Sequence, residues 1–303
     1  MKVLVTGGSG FIGSHTVDGL IERGVETVVV DKKKPSFPNA KALYYQMDIN
    51  SDGFASVFKA HKIDGIIHLA AQPSVSFSTK NPLEDAQNNI IASIRVIEEA
   101  KKNQVQKLVV SSSAALYARP QYFPIDEKHP TAYLSPYAIS KHTMEEYVKW
   151  SGIPYVIFRY ANVYGPRQDS QGEAGVVAIF TDAVTRQEPI FVHGDGNQTR
   201  DFVYVKDVAR ANCQAVLSDV AGETINLSSQ TEVSVNELAQ MLTSSVPAYQ
   251  GKIQHIARRE GDIYRSVLSN QKAKELLGFK NTYSFAQGIK ETVTFFEKQE
   301  RSL

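Results

Sequence analysis

The chain has 303 residues, 42% hydrophobic and 21% charged, a composition that can fill a core and does not describe a disordered polymer. Lysine and arginine number 33 against 32 acids, so the formal charge of +1 excludes a broad electrostatic pull on nucleic acid or an anionic membrane. A single cysteine, Cys213, excludes an internal disulfide and a cysteine-based zinc cluster, and no metal site is expected.

The opening residues MKVLVTGGSG carry an apolar run too short for a signal-peptide core, and no later stretch approaches a membrane span, so a cytoplasmic protein is expected. Short β-branched runs at 2–6, 26–31, 43–47, 65–69, 107–111 and 155–160 predict strands, with helical patterns at 11–23, 82–102 and 136–150 between them. That alternation predicts an α/β fold, a Rossmann-like doubly wound parallel sheet with helices on both faces. Along 82–102, Leu83, Ala86, Ile90, Ile94 and Ile97 recur at helical spacing, a stripe to be covered by the sheet or by a second subunit; a homodimer is expected.

Beyond residue 165 the texture changes. A helix over 175–186, a hairpin around Gly194-Asp195-Gly196-Asn197 and further short elements predict a smaller, interleaved C-terminal lobe that covers a substrate. The expected partition is a dinucleotide-binding domain at 1–165, with a return segment at about 202–228, and a substrate lobe built from 166–201 and 229–303.

Thr6-Gly7-Gly8-Ser9-Gly10-Phe11-Ile12-Gly13 follows the first strand and opens the first helix. Glycines there permit a tight turn and let backbone N–H groups, backed by the helix dipole, approach a pyrophosphate. Asp31 ends the next strand, 18 residues after Gly13, placed to accept hydrogen bonds from adenosine ribose hydroxyls and to repel a 2′-phosphate. NAD is therefore expected rather than NADP, although the ammonium groups of Lys32, Lys33 and Lys34 are near enough in sequence to offset the carboxylate.

Tyr137 and Lys141 lie one helical turn apart, behind Ser135 as a cap and Pro136 as a first-turn residue. A phenol with a pKa of about 10 is a poor base at neutral pH, but a neighbouring ammonium and a cationic ring favour its ionised form. Tyr137 is thus the candidate base for a substrate hydroxyl, and Ser113, last of three serines ending the 107–111 strand, is the candidate to share the proton. Singly these signals also describe surface pairs and strand ends. Their order behind a nucleotide turn gives them weight.

Through the glycine turn, His68-Leu69-Ala70-Ala71-Gln72, Ser111-Ser112-Ser113 and Tyr137-Ala138-Ile139-Ser140-Lys141, the sequence resembles the extended short-chain dehydrogenase/reductases nearly end to end. Within them it looks most like the UDP-hexose 4-epimerase branch, notably in Arg159-Tyr160-Ala161-Asn162-Val163-Tyr164-Gly165-Pro166-Arg167-Gln168 and Arg258-Arg259-Glu260-Gly261-Asp262. The resemblance implies an NAD site formed by Gly7, Gly10, Phe11, Ile12, Gly13, Asp31, Lys32, Leu69, Ser111, Tyr137 and Lys141. In it Asp48 and Ile49 border adenine, Ala70 and Ala71 the phosphates, Lys80 and Asn89 the cofactor's inner half, and Tyr160 and Val163 the nicotinamide. It implies a UDP-hexose substrate held by Asn162, the backbone near Val176, His193, Arg200, Arg259 and Asp262, with Ser113 on the reacting oxygen.

The implied reaction is transient oxidation at carbon 4 of the sugar, turning of the keto sugar, and return of hydride to its other face. Ser266 is small where some relatives carry a bulky pocket residue, which implies room for the 2-acetamido group of UDP-GlcNAc or UDP-GalNAc. Ala118 departs from a usual glycine and touches only a local turn. A related 4,6-dehydratase is disfavoured by Ala114 and Ala115, where that chemistry resembles an Asp-Glu pair; a uronate epimerase, a decarboxylase or a non-catalytic dinucleotide sensor stays open.

Overall fold

The computed structural model describes residues 1–171, 175–258 and 263–300; Arg259 and Asp262 lie outside the described residues. The first half of the chain supplies β1 (Lys2–Thr6), β2 (Glu26–Asp31), β3 (Leu43–Gln46), β4 (Gly65–His68), β5 (Lys107–Ser113) and β6 (Tyr155–Tyr160). Then follow β7 (Asn162–Tyr164), β8 (Ile190–His193), β9 (Thr199–Tyr204), β10 (Glu223–Leu227), β11 (Glu232–Ser234) and β12 (Ile253–Ile256).

The central sheet has the order β10-β6-β5-β4-β1-β2-β3, with every pairing parallel. The chain winds outward from β1 to β3, crosses back to β4 and winds the other way, so its direction reverses between β1 and β4, where Thr6 is in register with His68. Ligands bind beyond the strand ends at such a reversal. The Rossmann-like expectation is met, with seven strands in the sheet because β10 returns beside β6.

Helices cover both faces, so the strands read as unbroken apolar runs. Alternation along each strand feeds two cores. Val3, Val5, Val29, Ile67 and Val109 enter one; Leu4, Val28, Val30, Ile66 and Leu108 enter the other. A third core gathers Tyr164, Phe180, Val192, Phe202, Leu238 and Ile289 around a sheet of order β11-β9-β7 and the β12-β8 pair. The cores interpenetrate along the chain: Phe202 and Tyr204 belong to the third, whereas Leu277 and Phe279 pack under the central sheet.

Two expectations are corrected. Gly194 and Gly196 do make a turn with φ of +75° and +76°, but no hairpin forms, because β8 pairs parallel with β12 while β9 pairs with β7 and β11. The turn is filled by Asn236, whose amide donates to the Asp195 carbonyl and whose N–H bonds the Gly196 carbonyl. The apolar stripe of 82–102 is also broken: Leu83 is 80% exposed, Ala86, Ile90 and Ile94 are half-buried, and Ile97 is 4% exposed. A π turn at Gln87–Ile91 inserts extra rotation between Pro82–Ala86 and Ala92–Lys102, so a constant helical spacing cannot stay on one face.

The helix Pro136–Trp150 is locked to the sheet by a buried network. Glu145 forms a two-pronged ion pair with Arg159 of β6, through Nε at 2.9 Å and Nη2 at 2.6 Å, and accepts from the Ser112 hydroxyl. Arg159 also donates to the Tyr117 hydroxyl at 2.7 Å, which donates to Asn226 of β10. Arg159→Ala leaves the Glu145 charge without its partner away from water, which costs about 3–5 kcal/mol. Urea unfolding followed by circular dichroism should show that loss as a lower midpoint at unchanged slope.

Candidate active site

At the β1 end of the reversal, Gly7 takes a φ of +72°, and a Cβ there would lie 2.5 Å from the Ala70 nitrogen. A Cβ on Gly13 would lie 2.0 Å from the Gly7 carbonyl oxygen. Glycine at these positions lets the turn press against the Leu69-Ala70 backbone and the helix Phe11–Glu22 start directly behind it, an opening that fits a pyrophosphate. Gly10 bridges the two with its N–H on the Gly7 carbonyl at 3.1 Å. Ile12 packs onto the core below, and Phe11 sits edge-on to His15.

Asp31 at the end of β2 accepts from the Ser9 N–H at 3.0 Å and the Lys33 N–H at 2.9 Å, so the carboxylate braces the turn with lone pairs left for hydroxyls. The Lys32 ammonium donates to the Asn88 side-chain oxygen at 3.4 Å. A cavity of about 580 Å³ lies there, lined by Lys32, Asp48, Asn50, Lys80, Leu83 and Asn88 among others. The structure therefore brings Lys80 to the same cavity as Lys32 and Asp48. Ile49 is a core residue, facing inward with Phe54 and Ile66.

Leu69, Ala70 and Ala71 leave β4 half-buried. Asn89 sits on the π turn with its amide directed into the protein: Oδ1 accepts from the Gln72 N–H at 2.8 Å, and Nδ2 approaches Asp85 at 3.0 Å and Ser140 at 3.1 Å. Its direct contribution is to hold the segment after β4. The imidazole of His68 lies between Thr6 at 2.7 Å and Ser93 at 3.0 Å, and burial, with the Lys141 charge, lowers its pKa to about 3. This is a neutral, satisfied core histidine.

The helix carrying Tyr137 begins as its sequence directs. Ser135 accepts from the Ala138 N–H at 3.2 Å, Pro136 takes the first turn, and the Tyr137 N–H bonds the Ser78 hydroxyl at 3.0 Å. Tyr137, Lys141 and Glu145 share one face of it at four-residue intervals. Each meets one of the three serines ending β5: Tyr137 bonds the Ser113 hydroxyl, Lys141 donates to the Ser111 carbonyl at 2.8 Å, and Glu145 takes the Ser112 hydroxyl.

Burial raises the Tyr137 pKa above its ordinary value, the Ser113 bond opposes that rise, and Asp85 adds to it. The ammonium of Lys141 donates to the Ser111 carbonyl at the same strand end. Lys141 is lowered to about 8, by burial first, against the attraction of Asp85 and Glu145. Tyr160 packs into the core with its hydroxyl on Asn212 at 2.7 Å, so only its backbone faces the strand edge, while Val163 packs beside it.

Of the expected anchor residues, Asn162, Arg200 and Ser266 lie on or beside β9. Asn162 donates to the Asp201 carbonyl at 3.2 Å; Arg200 is half-buried on the same strand; Ser266 follows Arg265, which bridges Thr199. His193 ends β8 with its ring on the Ala257 carbonyl, and Val176 opens the helix Val176–Thr185. The carboxylate of Asp201 is engaged by Ser229 and the Leu268 N–H, and that of Glu232 by Arg265. Sequence reasoning missed Asp85, Ser112, Glu145 and Arg159. The acid four residues after Lys141 was the available signal for Glu145.

A dinucleotide turn at the reversal of a doubly wound sheet, and a serine beside a buried tyrosine–lysine pair at the same sheet edge, define an enzyme of the nicotinamide-dependent short-chain type. The NAD dependent epimerase/dehydratase family matches residues 3–228, and the chain belongs to that family. A UDP-glucose 4-epimerase of Mycolicibacterium smegmatis is 36% identical over 314 residues, spanning 99% of this chain and 100% of the relative. The crystal structure of a UDP-glucose 4-epimerase with UDP-glucose from Thermotoga maritima superposes with a TM-score of 0.95 at 40% identity, covering 99% of this chain and 100% of that one. A UDP-N-acetylglucosamine 4-epimerase from Methanobrevibacter ruminantium, in complex with UDP-N-acetylmuramic acid, superposes with a TM-score of 0.91 at 33% identity, covering 98% of each.

The low Lys141 value can be read directly. In a pH titration followed by NMR, the Lys141 side-chain resonance, identified by its loss in Lys141→Met, should be charged below about 8 and neutral above, whereas surface lysines titrate near about 10.4.

Proposed function

We propose that this enzyme interconverts UDP-hexoses by inverting carbon 4 of the sugar, with UDP-glucose and UDP-galactose as the pair. The observation that carries the reading is Tyr137, buried on Ser113 at the strand edge where the glycine turn also opens, in a chain of this family. Gly7, Gly10 and Gly13 would hold the NAD pyrophosphate, Asp31 the adenosine ribose and Lys141 the nicotinamide ribose. When bound, NAD supplies reversible two-electron oxidation of carbon 4.

The protein's own part is proton handling and orientation. Tyr137 takes the proton of the sugar 4-hydroxyl as carbon 4 becomes a ketone, with Ser113 sharing the reacting oxygen, and gives it back when the ketone is reduced on its other face. Placement of the ring requires that the UDP stay fixed while the sugar turns. Arg200, with Arg259 and Asp262, is assigned to the diphosphate and uridine, since a guanidinium fork matches phosphate oxygens. Asn162, the Val176 N-terminus and His193 complete the anchor. Ser266, small and half-buried beside β9, supports acceptance of 2-acetamido sugars as well.

Pure enzyme incubated with UDP-galactose, first without and then with added NAD, should form UDP-glucose. Tyr137→Phe should lower that rate by about 10²–10⁴-fold while UDP binding persists. Turnover of UDP-glucuronate in place of the neutral hexoses would move the assignment to a uronate epimerase.

The same reading includes a homodimer. Ile91 on the π turn, with Ile139 and Trp150 at 51% and 74% exposure on the adjacent helix, are large apolar side chains left open to solvent. Light scattering should report the mass of two chains, and Ile139→Glu combined with Trp150→Glu should give one.

A further inference from the structure

Asp85, in the helix segment Pro82–Ala86, is 1% exposed, and the groups bonded to its carboxylate are neutral. Oδ1 accepts from the Gln72 side-chain amide at 3.0 Å and from the Asn89 amide at 3.0 Å. Burying a carboxylate among neutral dipoles is unfavourable unless a charge nearby compensates. Here the compensating charge is the Lys141 ammonium, which attracts it without touching it.

A continuous path joins this acid to the reacting turn. Asn89, already fixed to the Gln72 backbone, donates to the Ser140 hydroxyl at 3.1 Å, and Ser140 donates to the Tyr137 carbonyl at 3.0 Å. Ser140 immediately precedes Lys141. The π turn is what aims Asn89 at both Asp85 and Ser140, since it displaces the side chains that follow from their α-helical places.

We propose that Asp85 is a positioning residue for the epimerisation, its buried carboxylate fixing the Tyr137–Lys141 turn through Asn89 and Ser140 and laying one negative charge beside both groups. The proposal rests on the assignment of Tyr137 and Lys141 as the proton-handling pair. The charge acts in one direction on both. It favours ammonium over amine at Lys141 and phenol over phenolate at Tyr137, so its removal lowers both pKa values. Other groups facing the pair are unaffected by the change: Glu145 stays paired with Arg159, His68 is neutral, and Ser113 is uncharged.

Asp85→Asn keeps the acceptor oxygen and removes the charge. With the NAD-loaded enzyme and UDP-galactose, both limbs of the kcat–pH profile should move to lower pH by about half a unit or more, with KM within about twofold. The direction holds whichever group each limb reports. Ser140→Ala cuts the path and leaves the charge, so it should lower kcat about fivefold, the worth of one hydrogen bond, without moving either limb. Asp85→Asn with unmoved limbs at normal thermal stability would overturn the proposal.

A second arm needs no substrate. The Tyr137 Cζ resonance of ¹³C-tyrosine-labelled protein, identified in Tyr137→Phe, should titrate at lower pH in Asp85→Asn than in the parent. An unchanged midpoint overturns the placement of charge. Wild-type enzyme inert toward every UDP-hexose would defeat the substrate assignment alone, with the resonance still deciding the role of Asp85.

Discussion

Three consecutive serines at the end of β5 hold one face of one helix, and the chemistry of the site depends on that contact. Ser113 meets Tyr137, Ser111 meets Lys141 and Ser112 meets Glu145. A strand repeats every two residues and a helix every 3.6, so such a match at three successive positions is possible only where the helix packs across the strand end at a set height. Glu145 and Arg159 set that height. Their ion pair ties the helix to β6, and Arg159 passes the constraint through Tyr117 to β10.

Behind the contact, the site is organised by buried polar groups with few alternatives. Asp31 braces the glycine turn through Ser9, Asp201 joins β9 to the segments at Ser229 and Leu268, and Asp85 with Asn89 ties the loop after β4 to Ser140. Each carboxylate is satisfied by N–H or O–H donors, at least one of them ten or more residues away in sequence. Away from water an unmet polar group is expensive, so each of these sets admits one arrangement and makes the segment it holds rigid. The result is a set of rigid turns around the glycine loop and the phenol, and a separate polar cluster around β9.

The parallel sheet was legible in the sequence because its strands are buried on both faces and therefore read as uninterrupted apolar runs, with helical patterns of adequate length between them. The glycine turn was legible because its backbone conformation excludes other residues, and the Tyr137–Lys141 pair because four-residue spacing has one meaning on a helix. The hairpin at Gly194 was misread for an instructive reason. Local turn chemistry was correct, but the pairing of the flanking strands is settled by β12, β7 and β11, which lie far away in the chain. The stripe of 82–102 failed on the π turn, a one-residue rotation that no spacing rule encodes.

By itself, then, the sequence determined the class of fold, the direction of the sheet, the glycine turn and the shared helix face of Tyr137 and Lys141, since each follows from local periodicity or from a conformation that only certain residues adopt. Tertiary structure decided the rest: that Asn89 faces inward, that Lys32 reaches Asn88, that Asp85 lies near Lys141, and that the Lys141 ammonium is held by Ser111. These are properties of burial and of partners separated by tens of residues. Neither the dielectric around a charge nor the identity of its partner exists until the chain has closed on itself.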